Sequence, residues 1–206
     1  MGAIESSGIK RLTDDDFNQV SRMLACEPAA LKAVQQVETG GRGGFFVPGK
    51  PAILFEGHIF WSQLKKRCLH PEDYVNGNES ILYSVWTKQY YKGGIRKYER
   101  LEQARTINRE AVDSSASWGM FQIMGFNYAA CGEKCVKSFV QSMCESECKQ
   151  LLLFANFIQK NPPMLRVLQS KDWAAFAKCY NGPAYAQNRY DAVSYTHLTL
   201  PTTSRV

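Results

Sequence analysis

The sequence predicts a mainly α fold with a small β-hairpin near its first third. Apolar residues recur at spacings of three and four along most of the chain, which indicates amphipathic helices. Two short β-type runs flank the turn residues Pro48 and Gly49, which indicates a hairpin. A length of 206 residues suits one domain with a buried core, and we expect that domain at 12–191, after a lead of 1–11.

The first two helices are predicted from their starts. Thr13 followed by Asp16 forms a capping signal, so a helix is expected from Asp14 to Leu24. Pro28 suits the first turn of a second helix. Its inward face would carry Leu31, Val34 and Val37, with Glu38 at its end.

The middle and the end of the chain read as hairpin and then helix. The strand 52–55 leads to Glu56 and to GHIFWSQL, which we expect to be helical, and the polar, tyrosine-rich stretch 69–94 is expected to cross the surface. From Tyr98 onward a nearly continuous helical pattern includes SWGMFQIMGFNYAA and one long helix over 136–159. Pro162 and Pro163 would end that helix, and Asp172 would cap the last one.

Composition and charge exclude several classes of protein. With 45% hydrophobic and 21% charged residues, the chain is neither disordered nor collagen-like. No apolar run reaches the roughly 18 residues of a membrane span, and MGAIESSGIKRL lacks the apolar region of a signal peptide. The net charge of +6 favours a polyanionic partner, either nucleic acid or an anionic cell wall.

Seven cysteines leave two interpretations open. Four of them, Cys131, Cys135, Cys144 and Cys148, have spacings that could hold zinc or two disulfides in a helical hairpin. Cys144 and Cys148 also fall on an apolar stripe at helical spacing, which favours buried thiols. We expect free thiols and no metal.

The segment VETGGRGGF contains either a functional glycine loop or a functional glutamate. A phosphate-binding loop needs a strand before the glycines, or Gly-Lys-Ser/Thr, and neither is present. Nucleic-acid contact through a single RGG is disfavoured because such tracts are usually repeated and disordered. Glu38, by contrast, ends a helix, where the macrodipole favours a protonated carboxyl, as a general acid requires.

Two more segments place polar groups among apolar ones. SWGMFQI puts Gln122 on a face that would otherwise be buried, so the amide needs a partner. Trp118 in the same segment could pack in the core or contact a ligand. Tyr180 and Asn181, in YNGP, close the last helix and could be a simple cap.

VETGG, SWGMFQI and YNG, in that order, resemble the lysozyme-like superfamily of goose-type lysozymes and lytic transglycosylases. The longer strings ILFEGHIF, YERL, SASWGMFQIMGFN and DWAAFAKCYNGPAYA resemble the phage and prophage endolysins of the N-acetylmuramidase family. The resemblance covers about 12–191. It implies a lysozyme-like α+β fold and an enzyme that cuts the β-1,4 bond between N-acetylmuramic acid and N-acetylglucosamine in bacterial peptidoglycan.

The resemblance also implies the site. Glu38 matches the general acid, and Trp118, Gln122, Tyr180, Asn181 and His58 are expected to bind substrate without a cofactor or metal. Glu56 is the best second carboxylate, because the hairpin could return it to within the 5–9.5 Å that paired carboxyls need. A pairing of Glu56 with Arg42, Lys50 or His58 that only fixes the hairpin is an equal alternative. Glu99 is a weaker third candidate.

Two other functions stay open at this point. Without a second carboxylate, Glu38 could act as acid and then base in a lytic transglycosylase that leaves 1,6-anhydro ends. The aromatic residues of 74–91 could instead belong to a non-catalytic wall-binding module.

The family also suggests where the protein acts. We expect a monomer without nucleic-acid or stable membrane association, which stays in the host cytoplasm until lysis and then acts on the cell wall. The last segment, 192–206, breaks the helical pattern and is expected to be a non-native tail.

Overall fold

The structure, a computed structural model, describes residues 8–39 and 43–181, and within them the side chains of all residues except Glu38 and Asn181. Arg42 and the expected tail at 192–206 lie outside the described residues. The described helices are α1 Asp14–Leu24, α2 Pro28–Thr39, α3 Gly57–Lys65, α4 Lys97–Ser114, α5 Val136–Glu145, α6 Glu147–Gln159, α7 Pro162–Gln169 and α8 Trp173–Asn181. The described strands are β1 Phe45–Val47, β2 Lys50–Pro51, β3 Ile53–Phe55, β4 Ala116–Trp118 and β5 Ile123–Met124.

The caps of the first helices follow the sequence prediction. Thr13 is the N-cap of α1, its hydroxyl accepts from the Asp16 N–H, and the Asp16 carboxylate accepts from the Thr13 N–H. In α2, Leu31 and Val34 are fully buried. The predicted bounds of α1 are confirmed, and α2 runs one residue beyond Glu38.

The strands form two small sheets. β1 and β2 make a hairpin around Pro48 and Gly49 as expected, but its second strand is Lys50–Pro51 and not the predicted 52–55. β3 does not belong to that hairpin. It pairs antiparallel with β4, with Leu54 opposite Ser117, and β4 pairs with β5.

Two expectations for the second half of the chain are wrong. SWGMFQIM is not helical but forms β4, a turn and β5. The helix expected over 136–159 is interrupted at Ser146, whose extended backbone ends α5 and whose hydroxyl accepts from Lys149 N–H to start α6. α6 ends at Gln159, just before Pro162 and Pro163, as expected, and the two prolines begin α7.

One hydrophobic core joins most elements. It gathers residues from α1 through α8, and its largest fully buried side chains include Trp118, Phe55 and Phe154. α6 packs on α1, α5 and α7, so it is a central helix of the domain. No described helix is both long and apolar enough to cross a membrane.

Candidate active site

The end of α2 borders a cleft. Glu38 is the penultimate residue of α2, and the next residue, Thr39, lines a cavity of about 250 Å³. Across the cavity lie the hairpin and the β4–β5 turn. The lining residues are Thr39, Gly43, Phe45, Phe46, Ala52, Lys97, Gly119, Met120 and Gln122. The end of α2 and the hairpin that follows it therefore meet the β4–β5 turn, which is distant in sequence, at one cleft.

Gln122 shapes the turn that borders the cleft. Its backbone is left-handed, with φ of 48°. Its Nε2 donates to the carbonyls of Gly119 at 2.8 Å and Ala52 at 3.3 Å, and its Oε1 accepts from the Ser117 hydroxyl at 2.9 Å. The amide therefore makes the hydrogen bonds expected of a polar side chain on an apolar face. These bonds link Ala52, β4 and the turn.

Trp118 does not reach the cleft surface, which corrects its assignment as a substrate-binding residue. Its side chain is 0% exposed, because β4 directs it into the core opposite Ile53. The indole N–H donates to the Asp113 carbonyl at 2.9 Å, and the Arg105 guanidinium lies 5.7 Å from the ring centroid. Trp118 therefore belongs to the core that lies beneath the β4–β5 turn.

The last helix approaches the same turn. The Tyr180 hydroxyl donates to the Phe121 carbonyl, the residue before Gln122, at 2.5 Å. Its half-buried ring stacks on Phe176 at a centroid distance of 5.7 Å. Asn181 is the last residue of α8, and its side chain is outside the description. The structure thus brings Tyr180 of the YNG segment to the FQI segment.

Two residues on the first turn of α6 hold both sides of the cleft, and neither was predicted from the sequence. The Glu147 carboxylate accepts from Gly44 N–H at 2.9 Å, from Leu12 N–H at 3.1 Å and from the Arg11 guanidinium at 2.8 Å. Gln150 accepts from Met120 N–H at 2.7 Å. Both polar side chains lie on the buried face of α6. The sequence does place both polar residues in an apolar helical stripe, and buried polar groups need hydrogen-bond partners, so this pattern could have indicated them.

Gln150 also touches the chain that leaves the α2 end. Its Nε2 donates to the Gly44 carbonyl at 3.3 Å and to the Met143 carbonyl at 2.9 Å. A Cβ on Gly44 would lie 2.1 Å from the Gln150 Oε1, so only glycine allows this approach. One buried amide therefore connects the segment after Glu38 with the turn of Gln122.

Glu56 lies further along the same sheet. Residues of an extended strand alternate between faces, so Ala52, Leu54 and Glu56 share the face opposite the buried Ile53 and Phe55. Four residues of strand place Glu56 roughly 13 Å from Ala52 along the chain. Glu56 precedes α3 and has a side chain that is 17% exposed.

The tyrosine-rich stretch covers Glu56. The Tyr91 hydroxyl donates a hydrogen bond to Glu56 Oε2. Burial, followed by this hydrogen bond, raises the pKa of Tyr91, which keeps its proton on the phenol. The tyrosine-rich stretch therefore supplies a neutral hydrogen-bond donor, the Tyr91 phenol, to the second candidate carboxylate.

His58 is the other neighbour of Glu56. Its Nδ1 lies 3.6 Å from Glu56 Oε2, which exceeds hydrogen-bond distance. This nitrogen is buried and has no hydrogen-bond partner within the described part of the chain. His58, one of the partners expected for Glu56 from the sequence, therefore lies beside its carboxylate. The third candidate, Glu99, instead pairs with Lys92 at 2.6 Å on the surface.

The cysteines are free thiols. All seven lie in the described residues, and none forms a disulfide. Cys131 is buried, which raises the pKa of its thiol to about 12, and Cys144 and Cys148 are half-buried. Among the described residues, no group of three or more His, Cys, Asp or Glu side chains is placed to hold a metal ion.

A helical domain with a small sheet beside a cleft at a helix end is the arrangement of a lysozyme-like glycosidase. The family model described as N-acetylmuramidase matches residues 27–195, so the chain belongs to that family. The crystal structure of the Burkholderia AP3 phage endolysin is similar, with a TM-score of 0.82 and 37% sequence identity over 91% of this chain and 70% of that chain. No curated protein matches. The protein is a muramidase-type glycosidase, an endolysin that degrades peptidoglycan.

Proposed function

We propose that this endolysin hydrolyses the β-1,4 bond between N-acetylmuramic acid and N-acetylglucosamine, with Glu38 as the general acid. One observation carries the proposal: the residue after Glu38, the Gln122 turn and the hairpin all line one cleft. Glu38 also lies in the last turn of α2, where the helix macrodipole opposes a negative charge. A carboxyl that keeps its proton is what protonation of the glycosidic oxygen requires.

Glu56 is the proposed second carboxylate. It shares a sheet face with Ala52 of the cleft, and its carboxylate is only partly exposed. The hydrogen bond from Tyr91 fixes the orientation of the carboxylate. A fixed carboxylate across the cleft would serve as general base or as nucleophile, and the separation from Glu38 in the complex decides which.

The remaining site residues have smaller proposed roles. Gln122 borders the cleft, but its amide is engaged within the protein, so it would shape the site rather than grip the sugar through that amide. Tyr180 would hold the same turn through Phe121. Asn181 and His58 are proposed to contact substrate, Asn181 near Glu38 and His58 near Glu56.

The test is a set of matched carboxamide variants, Glu38→Gln, Glu56→Gln and Glu99→Gln, assayed for lysis of purified peptidoglycan. Glu38→Gln is expected to lose activity by about 100-fold or more, as for loss of a general acid. Glu56→Gln is also expected to lose most activity. Glu99→Gln should keep it, because Glu99 forms an exposed pair with Lys92. Unchanged lysis by Glu38→Gln would remove Glu38 from the mechanism.

Mass spectrometry of the digested glycan distinguishes the reactions. Reducing muramic ends are expected from hydrolysis. 1,6-Anhydro ends would instead identify a lytic transglycosylase and overturn the hydrolase proposal. Binding of peptidoglycan by the wild-type protein without any cleavage would point to a wall-binding module.

The proposed setting of the reaction rests on the family alone. The protein would act as a monomer, without nucleic acid or stable membrane association, and would remain in the host cytoplasm until lysis exposes the wall. Fractionation of infected cells before lysis, together with the mass of the protein in solution, tests this. Recovery in the membrane fraction or a stable dimer would contradict it.

A further inference from the structure

The tyrosine-rich stretch that covers Glu56 contains a loop with an exposed tryptophan. Trp86 is 54% exposed and its neighbour Val85 is 75% exposed, whereas Trp118 is fully buried and Trp61 and Trp173 are partly buried. Large aromatic side chains dominate recognition because they offer a wide apolar face together with a polar edge. An aromatic side chain left open in a loop near a carboxylate is therefore a candidate contact for a ligand.

Trp86 lies between two residues that fix its loop beside Glu56. The Tyr83 hydroxyl accepts from Gly57 N–H, next to Glu56, at 3.3 Å. The Tyr91 hydroxyl donates to Glu56 Oε2. Trp86 lies between Tyr83 and Tyr91 in sequence, so it belongs to a loop that is held at the second candidate carboxylate on both sides.

The loop that carries Trp86 is fixed from below. Arg100 is 5% exposed, and its guanidinium lies 5.7 Å from the Tyr91 ring centroid. It donates to the Ser80 carbonyl at 2.8 Å and to the Tyr83 hydroxyl at 3.2 Å. The rings of Tyr83 and Tyr90 pack at 5.6 Å. Such a preformed surface loses little entropy when a ligand binds.

A cation completes the surface. The Lys88 ammonium lies 5.5 Å from the centroid of the Trp86 ring, so a positive charge sits beside the indole. An amino sugar has an apolar C–H face that can lie on an indole. In peptidoglycan the muramic acid also carries a peptide with free carboxylates, which Lys88 can meet.

We propose that Trp86 is the stacking platform of a saccharide subsite beside Glu56, which takes an N-acetylated amino sugar whose peptide carboxylate is met by Lys88. The inference rests on the proposed function, because it places this subsite next to the proposed second carboxylate. It adds a binding role to a residue outside the cleft at the end of α2.

Binding of soluble muropeptides tests the proposal in a Glu38→Gln protein, so that the ligand is not consumed. Titration calorimetry with a purified disaccharide–peptide oligomer should give a dissociation constant about tenfold or more higher for Trp86→Ala, the loss typical of an aromatic stacking contact. Trp86→Phe should retain part of the affinity. Val85→Ala, the exposed neighbour, is the matched control and should bind like the parent.

The Lys88 assignment has its own measurement. Lys88→Ala should weaken binding of the peptide-bearing oligomer but leave binding of a peptide-free N-acetylglucosamine oligomer unchanged. In the active protein, Trp86→Ala should raise KM while kcat changes less than about threefold, since the stacking contact is made equally in ground and transition states. Melting temperatures of all variants should match the parent, because both side chains are on the surface.

A failure of the subsite proposal can be distinguished from a failure of the proposed function. If Trp86→Ala binds and reacts like Val85→Ala, the subsite is overturned, whatever the outcome at Glu38. If Glu38→Gln still cleaves peptidoglycan, the proposed function fails, and the KM of Trp86→Ala against that of Val85→Ala in the active protein still decides the subsite. An equal loss of both oligomers in Lys88→Ala would overturn the assignment of the peptide carboxylate.

Discussion

Replacing Gln150 with leucine tests whether one buried amide holds the two sides of the cleft together. Gln150 is 0% exposed, and it bonds to Met120 N–H, the Gly44 carbonyl and the Met143 carbonyl. Leucine has a similar size and can fill most of the same space. The substitution therefore removes the hydrogen bonds without opening a large cavity.

The magnitude follows from the groups that lose a partner. Gly44 keeps a second hydrogen bond, since its carbonyl also accepts from Ala52 N–H at 2.8 Å. The Met120 N–H and the Met143 carbonyl each lose the side-chain partner, and a buried group without a partner costs roughly 1–3 kcal/mol. The expected loss in free energy of unfolding is about 3 kcal/mol. For a domain of this size, that lowers Tm by about 6–12 °C.

The assay is urea unfolding at neutral pH, with a thermal melt beside it. Gln141→Leu, at an exposed glutamine of α5, is the matched control and should change the free energy of unfolding by less than about 0.5 kcal/mol. Lysis measured well below the melting temperature should fall more than the folded fraction, because Met120 lines the cleft and Gly44 lies between the lining residues Gly43 and Phe45. A loss below about 1 kcal/mol, or no difference from Gln141→Leu, would refute the reasoning.

Three further predictions concern the α1 cap, the thiols and Gly44. Burial acts to raise the pKa of Asp16, but hydrogen bonds from Thr13 outweigh it and lower the pKa below 3.8, so its stabilisation exists at neutral pH and is lost as pH falls through that range. Thr13→Ala should therefore cost about 1 kcal/mol in urea unfolding at pH 7 and less at pH 3, and equal losses would contradict this. A thiolate-selective reagent should label Cys135, whose pKa is lowered by a backbone hydrogen bond from the first turn of α5, before the buried Cys131, and Cys135→Ser should remove the fast phase. Gly44→Ala should lower Tm and lysis together, because its Cβ would meet a buried amide oxygen at 2.1 Å, and a normal melt would show that the contact yields.

The elements that the sequence predicted are those set by local chemistry. Thr13, Pro28 and Asp172 start helices where their side chains or rings suit the first turn. The Pro48-Gly49 hairpin is likewise local. In each case the signal and the structure lie within a few residues, so tertiary contacts are not needed to decide them.

The β4–β5 turn could not be predicted because its cause is distant. β4 pairs with β3, more than 60 residues earlier, and Gln122 is held by Ala52 from the same region. Without that partner, SWGMFQIM shows only an apolar pattern that suits a helix as well. The break at Ser146 was missed for a related reason, since the apolar stripe continues through it and only the cap marks the boundary.

In the candidate site, too, residues with a local sequence signal could be predicted, and residues that depend on distant contacts could not. Gln122 could be selected because a polar residue on an apolar face needs a partner, and the structure supplies three. The roles of Glu147, Gln150 and Tyr91 were not predicted, because each depends on a contact at least 30 residues away in sequence. Trp118 was assigned to substrate because it lies in the same segment as Gln122, but β4 directs its side chain into the core.

The contacts of Gly44 bear on the alternative that the glycines of VETGGRGGF bind an anion. A phosphate-binding loop needs backbone N–H groups that point at the ligand. The Gly44 N–H instead donates to the Glu147 carboxylate, and its carbonyl accepts from Ala52 and from Gln150. A carboxylate already occupies the position where a phosphate would have to bind, and its negative charge would repel one. At Gly44 the absence of a side chain instead lets the chain that leaves Glu38 lie directly on α6.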